Sequence, residues 1–180
     1  MSYGITPYRV NLSRVRSRLD KDCPSSKKSK AKKACLNQLS RCGFGTEDGE
    51  PTDAELINAF IADGKAEHEG LGYKYWYALE GLIGDLGQFL SNGYWYPGTS
   101  DPFFNTDGFK LYDIGGGIDI PTPDDFPAVF VLENSDMSEE LIQEFEKKYA
   151  NELEAETIKQ FKSWITQAQR YKQDLVLYYY

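Results

Sequence analysis

Residues 71–97, LGYKYWYALEGLIGDLGQFLSNGYWYP, constrain the fold more than any other stretch of the chain. This is the densest run of large apolar and aromatic side chains, and it carries Trp76 and Trp95. Trp76, Leu79, Leu82, Ile83, Leu86, Phe89 and Leu90 recur at steps of three and four. That spacing predicts a central amphipathic helix with its apolar stripe on a core. Tyr73, Tyr75 and Tyr77 form an aromatic knot at one end, Tyr94, Trp95 and Tyr96 at the other, and Ser91-Asn92-Gly93 gives a stop signal. Gly81, Gly84 and Gly87 interrupt the run. A glycine costs up to about 1 kcal/mol inside a helix, so the expected reason is close approach of another backbone. A binding groove along the bare strip is the alternative.

Charge narrows the function classes. The chain carries a net charge of -8 over 180 residues, but unevenly. Residues 1–42 hold eleven Lys and Arg against two acids; residues 43–180 hold nine against twenty-six. An acidic bulk argues against general nucleic-acid binding, which needs cations to displace counterions. It suits a basic protein partner, and it also keeps a protein in solution. The cysteines, Cys23, Cys35 and Cys42, are odd in number and confined to the first quarter. They read as reduced thiols in a cytoplasm rather than a disulfide framework. Cys35 and Cys42 would stand about 10 Å apart along a helix, and no second pair completes a zinc site. The first fifteen residues lack a signal-peptide core, and no run approaches the roughly eighteen apolar residues of a membrane span.

Taken in order, residues 3–10 read as a strand in which Pro7 implies an edge position or a break. LSRVRSRL follows as a short helix with Leu12, Val15 and Leu19 on one side. Residues 21–33 are a basic segment expected to be flexible. The run from Lys27 to Cys42 reads as a helix with Ala31, Ala34, Cys35, Leu39 and Cys42 inward. Its lysines crowd the positive end of the helix dipole, which predicts a frayed start. Such a run is ordinarily a solvated face; as a nucleic-acid arm it lacks interleaved aromatics. Thr52-Asp53-Ala54-Glu55 has the form of a capping box. It opens a helix with Leu56, Ile57, Ala59 and Phe60 inward and Gly64 at its end. Residues 109–114 and 118–120 flank Gly115-Gly116-Gly117 as a candidate hairpin. That triplet lacks the pattern of a phosphate loop. Ala128–Leu132 is a buried strand. Ser135, Asp136 or Ser138 caps a helix bearing Leu141, Ile142 and Phe145. A longer helix presents Leu153, Ile158, Phe161, Trp164, Ile165, Ala168 and Tyr171. Residues 174–180 form a last strand able to pair with the first.

Several motifs then occur together: the opening Met1-Ser2-Tyr3-Gly4 with Tyr8 and Val10, Glu67-His68-Glu69 ahead of Tyr73-x-Tyr75-x-Tyr77-Ala78-Leu79-Glu80, and Ile120-Pro121-x-Pro123-Asp124-Asp125-Phe126-Pro127. With the closing Asp174-Leu175-Val176-Leu177-Tyr178-Tyr179, the chain resembles a bacterial, actinobacterial-type family of uncharacterised proteins. The lysine-rich part and the long acidic C-terminal helix depart from that family's pattern. The resemblance implies a bacterial cytoplasmic setting and no known activity, and it transfers no catalytic residue.

Three groups carry candidate chemistry. His68, the single histidine, sits between Glu67 and Glu69, whose side chains diverge from it along a helix, so no catalytic set is expected. Asp113, Asp119, Asp124 and Asp125 cluster near the prolines, yet the calcium-loop pattern is absent and a capped turn explains the Asp pair. The aromatic knots offer area with polar handles, as interfaces do. The expected fold is α+β, a single domain over 1–180. Its small, mainly antiparallel sheet takes in the first and last strands and 109–132, packed against helices. The expected function is a non-enzymatic, immunity- or antitoxin-type module that covers a basic toxin with an acidic, Tyr/Trp-rich surface. Its binding residues would be Tyr75, Tyr94, Trp95, Tyr96, Asp119, Asp124 and Asp125. No cofactor, metal, membrane or nucleic-acid partner is expected. The alternative is a small enzyme or ligand-binding protein with a pocket between the 94–104 aromatics and the 119–125 carboxylates.

Overall fold

A computed structural model describes residues 4–95 and 100–180, apart from the Asp63 side chain; Tyr96 lies outside the described residues. In chain order the elements are β1 (Ile5–Val10), α1 (Leu12–Leu19), α2 (Ser25–Cys42), α3 (Asp53–Asp63), a 3-10 turn (Glu69–Leu71), α4 (Gly72–Leu86), β2 (Gln88–Phe89), α5 (Asp101–Phe104), β3 (Lys110–Leu111), β4 (Ala128–Leu132), a second 3-10 turn (Asn134–Asp136), α6 (Glu139–Tyr149), α7 (Ala155–Arg170) and β5 (Asp174–Tyr179). The fold class is α+β. The elements sort into two compact units interleaved in sequence. One is residues 1–11, 87–113 and 128–180; the other is residues 12–86 and 114–127.

The first unit holds the sheet, in the order β2-β1-β5-β4-β3, with every neighbouring pair antiparallel. The terminal strands pair along six residues, from Ile5↔Tyr179 to Val10↔Asp174. Pro7 is therefore not on an edge strand. Gly4 and Tyr180 exchange both backbone hydrogen bonds, so alternation points Pro7 away from β5. On that other side only its carbonyl is used, accepting from Leu90 N–H at 2.9 Å. The missing donor costs the ladder nothing. β4 is a run of β-branched and large residues buried throughout. One face of the sheet packs with α6 and α7 through Phe130, Leu132, Leu177, Phe145, Phe161 and Trp164. Ser138 caps α6 by accepting from Leu141 N–H. Tyr171, expected on the inward face of α7, lies just past its end and is exposed.

The second unit is helical. α1 buries Leu12, Val15 and Leu19, and α2 buries Ala31, Cys35 and Leu39, as their periodicity predicts. Lysines 27, 28, 30, 32 and 33 all lie within α2. The Thr52–Glu55 capping box forms and Gly64 closes α3 in the left-handed region. Ala59 is exposed, however, and Ile61 packs inward with Leu56, Ile57 and Phe60. α2 and α4 approach so closely that a Cβ on Gly81 would lie 2.6 Å from the Ala34 carbonyl oxygen. Close packing thus accounts for Gly81, while Gly84 is exposed.

Two sequence expectations fail here for identifiable reasons. The central helix stops at Leu86 rather than near Leu90. Beyond Gly87 the chain turns extended, because Phe89 pairs with Tyr8 and Leu90 N–H bonds Pro7. A strand partner there outweighs helical periodicity. The hairpin around Gly115-Gly116-Gly117 does not form either. Each of these glycines has φ between 68° and 72°. The Ile114 carbonyl accepts from Arg16 Nε instead of a facing strand. A Cβ on Gly115 or Gly116 would strike the Arg16 side chain at 2.7 or 2.9 Å. Lys110 and Leu111 pair with Val131 and Phe130 of β4.

Candidate functional site

Within the helical unit, residues 66–70 and 119–124 border one open depression of about 600 Å³. Its lining holds the acidic residues Glu67, Glu69, Asp119 and Asp124 together with the small or uncharged Ala66, Gly70, Pro121 and Thr122. All four acids are exposed, and none forms an ion pair with another described residue. Two contacts at the start of α4 hold the bordering segments together. Trp76 Nε1–H donates to the Pro121 carbonyl at 3.1 Å. Gly72 lets the same carbonyl approach, since a Cβ there would lie 2.5 Å from its oxygen. The segments that carry the acidic residues are thus tied to one frame, and four like charges around one depression make a negative local potential.

A second depression in this unit, about 520 Å³, is bordered by α1 and the glycine triplet. Its lining holds Arg16 and Lys21 alongside Asp20 and Asp22, so the formal charges balance.

The predicted binding residues part company. Asp119 and Asp124 line the acidic depression; Asp125 is exposed but lies outside its lining. Tyr75 is buried against Phe60, with ring centroids 5.3 Å apart. Trp95 is only 7% exposed. It stacks on Phe103 at 4.9 Å and packs on Trp164 at 5.3 Å in the core of the sheet unit. Tyr94 is 54% exposed. Its backbone is fixed from α7, by Thr157 Oγ1 donating to its carbonyl and Gln160 Oε1 accepting from its amide. The acidic depression has no described residue of 94–104 in its lining.

His68 is exposed and precedes the first 3-10 turn; it is not within a helix. Burial pushes the Cys35 thiol up to about 12 and, with the nearby Glu80 charge, the Cys42 thiol up to about 11. Both remain protonated at neutral pH and are weak nucleophiles. Burial, then the neighbouring Cys42, Glu80 and Asp125, pushes Tyr77 up to about 12. Among the described residues no group of three or more His, Cys, Asp or Glu is gathered to hold a metal ion. No helix of the described residues is long and apolar enough to cross a membrane.

Sequence reasoning passed over two features. Glu67 and Glu69 flank His68 in the sequence, and that acidic pair is the signal for their side of the depression. Lys74 is fully buried on α4, donating to the Gly45 carbonyl at 2.9 Å, with Asp53 at 3.4 Å and Glu50 at 3.6 Å. The single lysine of α4, amid aromatic residues and downstream of an acidic loop, is the signal the sequence offers. Beside it Phe44 packs between Tyr73 and Tyr77, with centroids 5.1 and 5.0 Å away.

The match to known proteins extends over the whole chain. Residues 1–180 match the family described as Domain of unknown function (DUF7691). The chain belongs to that family. No curated protein and no solved structure matches it. The acidic depression and its Trp76–Pro121 frame are therefore described from this member of the family alone.

Proposed function

We propose that this chain is a non-enzymatic protein-binding module of the immunity or antitoxin type, acting in a bacterial cytoplasm. Its acidic depression takes up a basic segment of a partner protein, such as a toxin. One observation carries the reading: four carboxylates without ion-pair partners among the described residues share a single framed depression. Complementary charge steers encounter and fixes register, and lysine or arginine side chains carry the matching charge on long stems. The exposed Tyr94 ring offers separate contact area on the sheet unit.

The reading is tested by titrating the full chain with an arginine- and lysine-rich peptide and with its glutamine-substituted control. The chain binds the basic peptide, and E67Q/E69Q/D119N/D124N abolishes binding. A variant neutralising Glu139, Glu140, Glu144 and Glu146 on α6 retains it. Equal loss in both variants would reduce the effect to net charge and remove the proposal.

A further inference from the structure

The helical unit is split in charge. Residues 12–42 carry ten Lys and Arg against two Asp. The remainder of the unit, 43–86 with 114–127, carries two against thirteen acids. On α2 the division has a geometric form. Ala31, Cys35 and Leu39 face the core. Lys30, Lys33, Asn37 and Arg41, spaced three, four and four apart, stand exposed on the opposite side. That spacing keeps them on one stripe, roughly 16 Å long at the rise of an α-helix. The stripe runs over most of the helix and ends in its last turn. Lys30, Lys33 and Arg41 form no ion pair with the described residues. The helical unit therefore displays a cationic helix face as well as the acidic depression, both without ion pairs to the described residues.

We propose that the solvent face of α2 is a docking surface for a second copy of this chain, which receives Lys30, Lys33 and Arg41 in its acidic depression. The occupant is argued from charge complementarity: both surfaces lack counter-charges, and both belong to the same polypeptide. The inference rests on the reading of the depression as a site for basic segments and names one such segment. Because the contact joins two different patches, it is head-to-tail. It closes into a ring or continues as a chain according to the rotation it imposes. It also places self-association in competition with any other basic partner for the same carboxylates. A nucleic acid or another polyanion on α2 is the rival occupant, and the net charge of -8 on the chain works against it.

Sedimentation of the full chain at low and high ionic strength tests the proposal. The wild type has a mass above that of one chain at low salt. In about 0.5 M salt, where screening is strong over a few ångströms, it has the mass of one chain. K30E/K33E/R41E and E67K/E69K are each single chains at low salt. Mixed together they restore association, because the first keeps the depression and the second keeps the helix face. Circular dichroism melts confirm that both variants fold, and K30Q/K33Q/R41Q repeats the loss without reversing charge. A wild type with the mass of one chain at every ionic strength overturns the proposal, as does a mixture that fails to associate. The two readings separate in the same samples. A single-chain wild type that still binds the basic peptide defeats the inference and leaves the depression's role standing. Failure of the peptide to bind single chains of K30E/K33E/R41E defeats both.

Discussion

The sheet unit and the helical unit differ in what they bury: among the described residues the buried charges, Lys74 and Glu80, both lie in the helical unit. In the sheet unit the interior is apolar and aromatic. Phe145 and Phe161 stack at 3.8 Å, and Trp95, Phe103 and Trp164 continue the same cluster. Its stability comes chiefly from burying large rings. The helical unit is fastened at a few particular atoms as well: the Gly81–Ala34 approach, the Trp76–Pro121 hydrogen bond and the buried Lys74 ammonium. Burial of ring area tolerates small displacements; an ammonium with three oxygen partners does not. The framed acidic depression lies in the helical unit, where position is fixed by such contacts.

The sharpest test of this contrast is to remove one large ring from the sheet unit. Trp95→Ala deletes a stacked, buried indole, and large-to-small changes of this kind cost about 3–5 kcal/mol. Chemical denaturation shows the loss, while peptide binding at the depression persists under conditions where the variant is folded. Lys74→Met comes next. The thioether fills similar volume but leaves Glu50, Asp53 and the Gly45 carbonyl without their cation. The side chains of Glu50 and Asp53 are 26% and 27% exposed, so water takes up part of the loss and the cost should be about 1–3 kcal/mol. Amide exchange in residues 43–53 should accelerate with it. If Lys74→Met were neutral, the helical unit would depend on apolar burial as the sheet unit does, and the contrast would fail.

Much of this architecture is legible in the residues. The 3.6 period locates α1 and α6, the Thr52-x-x-Glu55 pattern locates the start of α3, and the run AVFVL locates β4. What escapes is set by distant partners. Nothing local announces that residues after Gly87 pair with β1, or that Arg16 claims the Ile114 carbonyl and suppresses a hairpin. The candidate site divides the same way. Asp119 and Asp124 were visible beside their prolines, but Glu67 and Glu69 join them only through the fold. Trp95 and Tyr75 carry the composition of an interface and the burial of a core. Aromatic type alone does not separate the two roles.

Gly81→Ala probes the helical unit with the least chemical change. The new methyl would meet the Ala34 carbonyl oxygen and the Gln38 Cβ, each at 2.6 Å. α2 and α4 must therefore part slightly. The helix-propensity gain of about 1 kcal/mol offsets part of an overpacking cost of roughly 1–3 kcal/mol. Denaturation should show a net loss of about 1 kcal/mol. A parallel readout is the hydrogen bond from Gln38 Nε2 to the buried Glu80 carboxylate, 2.9 Å long and spanning the same helix pair. Gly84→Ala, on the exposed face, should instead stabilise the protein slightly. Destabilisation by both would mean that backbone approach at Gly81 is not what selects glycine.

The smallest effect compares the two units through their helix caps. Glu55, at the start of α3, has its carboxyl held below the usual range by the Thr52 side chain and then the Thr52 backbone amide. Glu140, at the start of α6, is lowered first by its own backbone amide and then by the Ser138 hydroxyl. A carboxyl whose folded value is depressed binds its proton more readily in the unfolded chain. Its contribution is therefore complete above the unfolded carboxylate range and disappears as pH falls through the folded value. Thr52→Ala removes both the cap, at about 1 kcal/mol, and the main cause of the Glu55 shift. Its deficit relative to wild type should be largest near neutrality and narrow as the solution is made acidic. Ser138→Ala removes only the second cause for Glu140, so its deficit should change less over the same acid range. Denaturant melts across that range settle the matter. Equal pH slopes for the two variants would show that the reciprocal cap on α3 confers no more than the single hydroxyl on α6.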